Sequence, residues 1–205
     1  ALPISKWNIP YTVMAETGVV GIIKGNHPEK RVIALRADMD ALPIEETNDI
    51  PYRSKNKGVM HACGHDVHTT CLLGAARVLQ ECRKEWEGTV KLIFQPGEEK
   101  NPGGASLLIK EGVLKDPAPQ AIFALHVHPQ LETGKLSFRS GQVMASADEI
   151  YITITGKGGH AAAPQEAVDP ILIASHLVVA LQQIISRHNN PFSPSVLSKI
   201  GRAHV

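Results

Sequence analysis

The sequence has few cysteines, no excess of charge of one sign and no long apolar run. Its three cysteines form an odd count at spacings of eight and eleven, which argues against a disulfide framework and fits a reducing cytoplasm. Basic and acidic residues number 21 and 20, so neither a nucleic-acid-binding stripe nor an acidic tail is indicated. No apolar run approaches the roughly 20 residues that span a bilayer, and the first residues do not resemble a secretion signal.

The remaining composition is that of an ordinary soluble globular protein, with 43% hydrophobic and 20% charged residues. Its 205 residues fit one or two domains. Cys71 and Cys82 lie in a helix-like segment, and we interpret them as small buried hydrophobic residues. Cys63 differs because its neighbours are polar.

The pattern in residues 1–141 predicts an α/β domain. Short apolar runs, typical of strands buried on both faces, alternate with segments of helical periodicity. This alternation indicates a mostly parallel sheet that is covered by helices on both faces. The predicted strands are 19–24, 31–37, 90–95 and 121–125, and the predicted helices are 66–86 and 105–111.

Residues 142–199 predict the start of a second, α+β domain. Apolar and polar residues alternate over 149–155, which is typical of a strand with one face in water. Asp169 and Pro170 have the chemistry of a helix N-cap and first turn, and the apolar stripe that follows predicts a helix to about His188.

The last six residues have a different character from the rest of the chain. The hexapeptide at 200–205 is what one reading frame of a common sequencing adapter encodes. We therefore expect a non-native tail at 200–205, attached to a fragment of a longer protein, and we leave the tail out of the fold prediction.

Reactive side chains follow three of the predicted strands. The carboxyl ends of strands in open α/β sheets are where functional sites form. A fourth segment brings Cys63 and His65 together just before a predicted helix, and thiolate and imidazole are the usual ligands of zinc and its neighbours. The side chains after the strands are Asp38 and Asp40, then Glu98 and Glu99, then His126 and His128.

A set of metal ligands with a spare carboxylate is what metal-assisted hydrolysis requires, because the carboxylate can take a proton from water. Simpler explanations exist for each group. Glu98 and Glu99 could be a solvated surface pair, and Asp38 and Asp40 could be turn or cap residues. Four segments would each need a separate explanation, which favours a shared site.

Five sequence blocks resemble one family. Together they resemble the amidohydrolase branch of the aminoacylase/carboxypeptidase metallopeptidase family, which includes hippurate hydrolase, indole-acetyl-amino-acid hydrolases and N-acetyl-diaminopimelate deacetylase. The resemblance covers nearly the whole chain up to about Lys199. The blocks are Arg36–Pro43, Met60–Thr69, Phe94–Glu99, Leu125–Pro129 and Gly156–Pro164.

The resemblance implies a fold. Residues 1–141 would be the N-terminal part of a three-layer α/β catalytic domain of the zinc-exopeptidase type, with a mixed, mostly parallel sheet. Residues 142–199 would begin a ferredoxin-like α+β lid or dimerisation domain, through which the full-length protein forms a homodimer. Family members are substantially longer, and their later half supplies a further ligand histidine, so this chain would hold an incomplete site.

The resemblance also implies roles for individual residues. Glu98 matches the general base, and Asp40 matches the aspartate that orients a ligand histidine. Asp38 stands where the wider family has a ligand histidine, which leaves its role open. His160 matches a second-domain histidine that reaches a neighbouring subunit's active site. The residues that match metal ligands are Cys63, His65, Glu99 and His126.

By this resemblance, the protein is expected to be a cytoplasmic, metal-dependent amidohydrolase. It would cleave an N-acyl amino acid to a carboxylate and a free amino acid, using one or two divalent ions such as Zn, Mn, Co or Ni. We expect no nucleic-acid or membrane partner. Two alternatives stay open: an exopeptidase or dipeptidase of the same fold, and a non-catalytic metal-binding module. Glu98, which metal storage does not require, argues against the second.

Overall fold

The computed structural model describes residues 2–141, 143 and 148–198, and it divides into two compact units. The first unit is Ala1–Thr133 and the second is Gly134–Val205. The predicted tail at 200–205 lies outside the described residues, so it stays a prediction. The predicted domain boundary after residue 141 stays a prediction as well.

A five-stranded sheet forms the centre of the first unit. The strands are β1 (Tyr11–Met14), β2 (Gly18–Lys24), β3 (Val32–Asp38), β4 (Thr89–Gln95) and β5 (Ala121–Ala124). Their order is β1-β2-β4-β3-β5, with β3 parallel to both β4 and β5. The pairings β1–β2 and β2–β4 are antiparallel, so the sheet is mixed, as predicted, with two parallel and two antiparallel pairings rather than mostly parallel ones. The sequence pattern did not predict β1, which is short and largely exposed.

Helices cover both faces of this sheet, which makes three layers. The helices are α1 (Leu2–Lys6), α2 (His65–Glu81) and α3 (Gly104–Lys110). Successive residues of β4 point to opposite faces, so Leu92 packs in the cluster that contains Leu72 of α2, and Ile93 packs in the cluster that contains Leu108 of α3. All four of these residues are at most 5% exposed.

Helix α2 ends at Glu81, five residues before the predicted end at Trp86. The chain turns after Cys82, whose N–H is bonded to the carbonyl of Val78 at 2.9 Å. Trp86 instead donates its indole N–H to the carbonyl of Leu79 at 3.1 Å, and its own carbonyl accepts from the N–H of Asn26 at 2.9 Å. These longer-range bonds divert the chain from the helical path.

The prediction that Cys71 is buried is wrong. The buried face of α2 is formed by residues at three- and four-residue spacings, and Cys71 falls outside that stripe and is exposed. Cys82, at the helix end, is partly buried. The buried residues of α2 are His65, His68, Leu72 and Ala76.

One lysine lies in the interior of the first unit. Lys91 of β4 is 2% exposed, and its Nζ donates to the carbonyls of Val113 at 2.8 Å and Lys115 at 2.7 Å. Burial lowers the pKa of Lys91, although the nearby Asp116 carboxylate acts in the opposite direction. The ammonium therefore bonds the loop after α3 to the sheet, although burial makes its charged form less favourable.

The second unit contains one long helix, α4 (Pro170–Gln183), which continues as a π-helical turn, Ile184–His188. Its predicted start is confirmed, because the Asp169 carboxylate accepts from the N–H groups of Ile171 at 2.8 Å and Leu172 at 3.2 Å.

The predicted strand over 149–155 is wrong. Within residues 134–141, 143 and 148–198 there is no strand, and the one backbone bridge there joins Lys157 to Val168. A strand is stable only beside a paired neighbour, and Ile150 and Tyr151 are instead exposed. The ferredoxin-like domain therefore stays a prediction.

Among the described residues, one helix is long and apolar enough to cross a membrane, by length and composition alone. Pro170–His188 spans 19 residues with a mean hydropathy of 1.3 in its most apolar window, none of which is buried. The helix as a whole approaches spanning length, although no continuous apolar run within it does. Polar residues such as Ser175 and His176 interrupt its apolar face, which is why no continuous apolar run is visible in the sequence. The absence of a membrane partner stays a prediction.

Candidate metal centre

The carboxyl ends of the parallel strands bring three of the four predicted segments together. Asp38 ends β3 directly opposite Gln95, the last residue of β4. Glu98 and Glu99 follow β4, and His126 follows β5 on the other side of β3. The sheet register therefore places these segments at one edge, as the sequence predicts.

The fourth segment enters through the first residue of α2. Gly64 adopts a left-handed conformation with φ of 83°, and the chain turns there so that His65 points inward. His65 is 1% exposed. Its Nδ1 lies 3.0 Å from Asp40 Oδ1 and 3.1 Å from the Asp40 carbonyl oxygen. Both partners are acceptors, so Nδ1 carries the proton and Nε2 keeps a free lone pair.

His65 Nε2 is buried and has no hydrogen-bond partner among the described residues. A buried polar atom without a partner is uncommon and calls for an explanation. The nearest charged groups are Asp38 Oδ2 at 3.7 Å and Glu99 Oε1 at 3.9 Å. An imidazole lone pair that faces carboxylate oxygens is an arrangement that a cation would complete.

Two further donors face the same point. The thiol of Cys63 lies 3.5 Å from His126 Nε2. His126 Nδ1 lies 2.8 Å from the carbonyl oxygen of Val127 and donates to it, so Nε2 keeps its lone pair, as in His65. Ligand atoms of Cys63, His65 and His126 all lie within 4.8 Å of one another, and so do those of His65, Glu98 and Glu99.

Asp40 connects the segments of this cluster. One of its oxygens accepts from His65, and the other accepts from the backbone N–H of Glu99 at 2.9 Å. Burial alone would raise the pKa of Asp40, but the N–H groups of Glu99 and Glu98 and the bond to His65 outweigh it, so the pKa is lowered. Asp40 therefore bonds to His65 as a carboxylate, and its role in orienting a ligand histidine stays a prediction.

The surroundings of Cys63 disfavour the thiolate form of its side chain. Burial raises the pKa of this thiol to about 11, with a hydrogen bond to Glu99 and the negative charges of Glu99, Glu98 and Asp38 acting in the same direction. A divalent cation bound here would offset these negative charges and lower the pKa of the thiol. Thiolate, two imidazoles and a carboxylate suit Zn, Mn, Co or Ni.

Sequence reasoning missed His68, which is 4% exposed and lies against the cluster. His68 Nδ1 lies 2.6 Å from Asp38 Oδ1, and His68 Nε2 accepts from the backbone N–H of Val127 at 3.0 Å. Asp38, His65 and His68 also have ligand atoms within 4.8 Å of one another, but both His68 nitrogens are engaged. The three-residue spacing from His65, which puts both imidazoles on one helix face, was the available signal.

Two predicted histidines are not part of this cluster. His128 lies in the first unit, two residues after His126, and is exposed. His160 lies in the second unit, is exposed, and accepts from the backbone N–H of Ala162 at 3.1 Å. Its predicted reach into a neighbouring subunit's active site stays a prediction.

The fold and the site define an α/β domain with thiol, imidazole and carboxylate donors gathered at the carboxyl edge of parallel strands. The chain belongs to peptidase family M20/M25/M40, whose model matches residues 34–200. The family resemblance that the five sequence blocks predict is confirmed.

Similar proteins include hydrolases of N-acyl amino acids. The chain is 47% identical over 196 residues to "IAA-amino acid hydrolase ILR1-like 5" of Arabidopsis thaliana, covering 95% of this chain and 44% of that protein. It is 45% identical over 188 residues to a hippurate hydrolase of Campylobacter jejuni, covering 92% of this chain and 48% of that protein. The chain thus spans less than half the length of these relatives.

A solved structure shares the fold. The YXEP protein of Bacillus subtilis, described as a dinuclear metal binding peptidase from the M20 family, is 36% identical and superposes with a TM-score of 0.66. The match covers 89% of this chain and 48% of that one. The three-layer α/β architecture of the first unit is therefore that of M20 family structures.

Proposed function

We propose that this chain forms the larger part of the catalytic site of a metal-dependent amidohydrolase, which cleaves an N-acyl amino acid to a carboxylate and a free amino acid. The observation that carries the proposal is the convergence of thiol, imidazole and carboxylate donors around the partnerless Nε2 of His65. Relatives named as an IAA-amino acid hydrolase and a hippurate hydrolase support the substrate class.

The residues proposed to hold one or two divalent ions are Cys63, His65, Glu99 and His126. A bound ion would polarise the scissile carbonyl and lower the pKa of water toward about 7. Asp40 holds His65 in the tautomer that leaves Nε2 available. Partners of this kind, outside the ligand set, set the orientation of ligand histidines and raise their basicity.

Glu98 is proposed as the general base. Its carboxylate lies within 4.8 Å of the ligand atoms of His65 and Glu99, so it borders the proposed metal site. Glu98 takes a proton from the attacking water as the water oxygen bonds to the carbonyl carbon. When the carbon–nitrogen bond breaks, Glu98 delivers that proton to the amine nitrogen, and the carboxylate and the free amino acid leave.

The proposal has further parts. Residues 142–199 would begin a lid or dimerisation domain, through which the full-length protein forms a homodimer in the cytoplasm. His160 of that domain would stabilise the developing oxyanion or hold the substrate carboxylate in a partner subunit's site. The relatives' length supports the idea that further ligands come from sequence beyond this chain.

The test uses a full-length protein that contains this chain. The purified protein is loaded with each of Zn, Mn, Co and Ni, and hydrolysis of N-acetyl amino acids, N-benzoyl amino acids and dipeptides is measured. We expect turnover of the N-acyl compounds. Faster turnover of dipeptides would identify an exopeptidase, and a metal-loaded protein that is inert on all compounds would overturn the proposal in favour of a metal-binding module.

The same assay tests the role of Glu98. Glu98→Gln keeps the size of the side chain but removes the base, so kcat should fall about 100-fold or more while the metal content is unchanged. Glu29→Gln, which makes the same change at an exposed position, is the matched control. Near wild-type turnover of Glu98→Gln would remove Glu98 from the role of base.

A further inference from the structure

His68 bridges two elements of the first unit through both of its ring nitrogens. Because Nε2 accepts the N–H of Val127, Nδ1 must carry the ring proton, and it donates that proton to Asp38 Oδ1 at 2.6 Å. The imidazole therefore links a carboxylate at the end of β3 to the backbone of the segment that follows β5.

The Asp38 end of this bridge is firmly held. Its carboxylate accepts from Arg36 Nη1 at 2.8 Å, and its backbone carbonyl accepts from the hydroxyl of Thr69 at 2.8 Å. Arg36 in turn donates through Nε to Gln95 of β4 at 2.9 Å. Asp38 is 1% exposed, so its position is fixed by contacts to two strands and to helix α2.

Apart from the packing of the Val127 side chain at Gly64, the Val127 end has little other support. All four residues of β5 are exposed, and so is His126. The Val127 carbonyl accepts from His126 Nδ1, and the rings of His68 and His126 meet edge to face with centroids 4.5 Å apart. Any movement of the Val127 backbone would therefore move His126 relative to Cys63 and His65.

We propose that Asp38 and His68 form a buried bridge that positions His126 for metal binding. The bridge gives a role to Asp38, which stands where the wider family has a ligand histidine. His68 acts through hydrogen bonds rather than as a ligand, because both of its ring nitrogens are engaged. This inference rests on the proposed function, because it assumes that His126 is a metal ligand.

The first measurement needs neither metal nor substrate. In metal-free, full-length protein labelled with [¹⁵N]valine, the Val127 amide should be protected from hydrogen exchange. His68→Leu removes the acceptor, so exchange at Val127 should become about tenfold faster or more, whereas amides of Val19 and Val90 in the core strands should keep wild-type rates. His68→Gln can donate and accept at once and should restore much of the protection.

The second measurement is metal affinity by competition with a chelator. Loss of a partner outside the ligand set typically costs about 10- to 100-fold in affinity, and we expect that loss in His68→Leu and its partial recovery in His68→Gln. His27→Asn, which removes an exposed imidazole, is the control and should bind metal like the wild type. Wild-type exchange at Val127 together with wild-type metal affinity in His68→Leu would overturn the proposal.

A pair of polar variants keeps the test decisive if His68→Leu does not fold. Asn can reach Asp38 but is too short to reach the Val127 N–H as well, so His68→Asn should lose the protection and the affinity that His68→Gln retains. Equal behaviour of the two variants would contradict the bridge. A protein that shows these differences but is inert on every substrate would disprove the proposed function and leave the bridge intact.

Discussion

At the scale of single residues, His65 and His126 share one arrangement. Each gives its Nδ1 proton to an oxygen of its own surroundings, Asp40 for His65 and the Val127 carbonyl for His126. Both rings therefore present the lone pair of Nε2. Two imidazoles in the same tautomer beside a thiol make a donor set that is already prepared for a cation before any cation binds.

Cys63 gives the first residue-scale prediction. Cys63→Ser replaces a soft thiol ligand by a hydroxyl, so the full-length protein should lose at least about tenfold in zinc affinity, since even partners outside a ligand set cost this much. The measurement is zinc content after dialysis against graded chelator. Cys71→Ser makes the same substitution at an exposed position of α2 and should bind zinc normally. Equal zinc content in both variants would count against Cys63 as a ligand.

At the scale of elements, the start of helix α2 determines how the site is built. Gly64 is in the left-handed region, and an added Cβ there would contact the side chain of Val127. Gly64 therefore allows the turn that points His65 inward, and it also leaves room for Val127 in the segment that contains His126. Val127 is held by its side chain at Gly64 and by its backbone at His68.

Two glycines of this region should respond to alanine with opposite signs. Gly64→Ala is strained at φ of 83° and crowds Val127, so it should lower the free energy of unfolding by about 1–3 kcal/mol. Gly74→Ala, within α2 and with no atom within 4 Å of the new Cβ, should raise it by up to about 1 kcal/mol. Urea unfolding of the full-length protein measures both. A stabilised Gly64→Ala would contradict the close approach to Val127.

At the scale of the whole molecule, the first unit also buries a charged side chain away from the candidate metal centre. This is Lys91, beneath the loop after α3. The ammonium is compensated by two carbonyl oxygens, while burial lowers its pKa. The free energy of unfolding should therefore change with pH in the alkaline range.

The sign of that dependence follows from proton binding. Between the lowered pKa of folded Lys91 and the ordinary value of 10.5, the unfolded chain binds more protons than the folded one, so stability should rise with pH in this window. Lys91→Met should remove the rise and lower stability by leaving two carbonyls unpaired. Lys24→Met, on the exposed end of β2, is the control. The measurement is the urea midpoint of unfolding at pH values from 8 to 10.5. An equal change of midpoint with pH in wild type and Lys91→Met would contradict the prediction.

Most of the first unit could be predicted from sequence, because its strands are short apolar runs and its helices show apolar residues at three- and four-residue spacings. The ends of α2 were less predictable, since Trp86 leaves the helical path for a carbonyl bond to Asn26, sixty positions earlier in the chain. The prediction of a strand at 149–155 was wrong. Alternating apolar and polar residues show that a segment is able to join a sheet, but whether it does so depends on a neighbouring strand.

The sequence by itself determined which chemical groups stand at the strand ends and to which family the chain belongs, because both depend on local order along the chain. Only the tertiary structure decided which of those groups meet. The parallel register of β3, β4 and β5 brings the segments of Asp38, Glu99 and His126 to one edge of the sheet. The packing of α2 adds Cys63 and His65 to that edge and gives Asp38 a partner in His68. Such pairings join residues that are distant in sequence, so no local pattern records them.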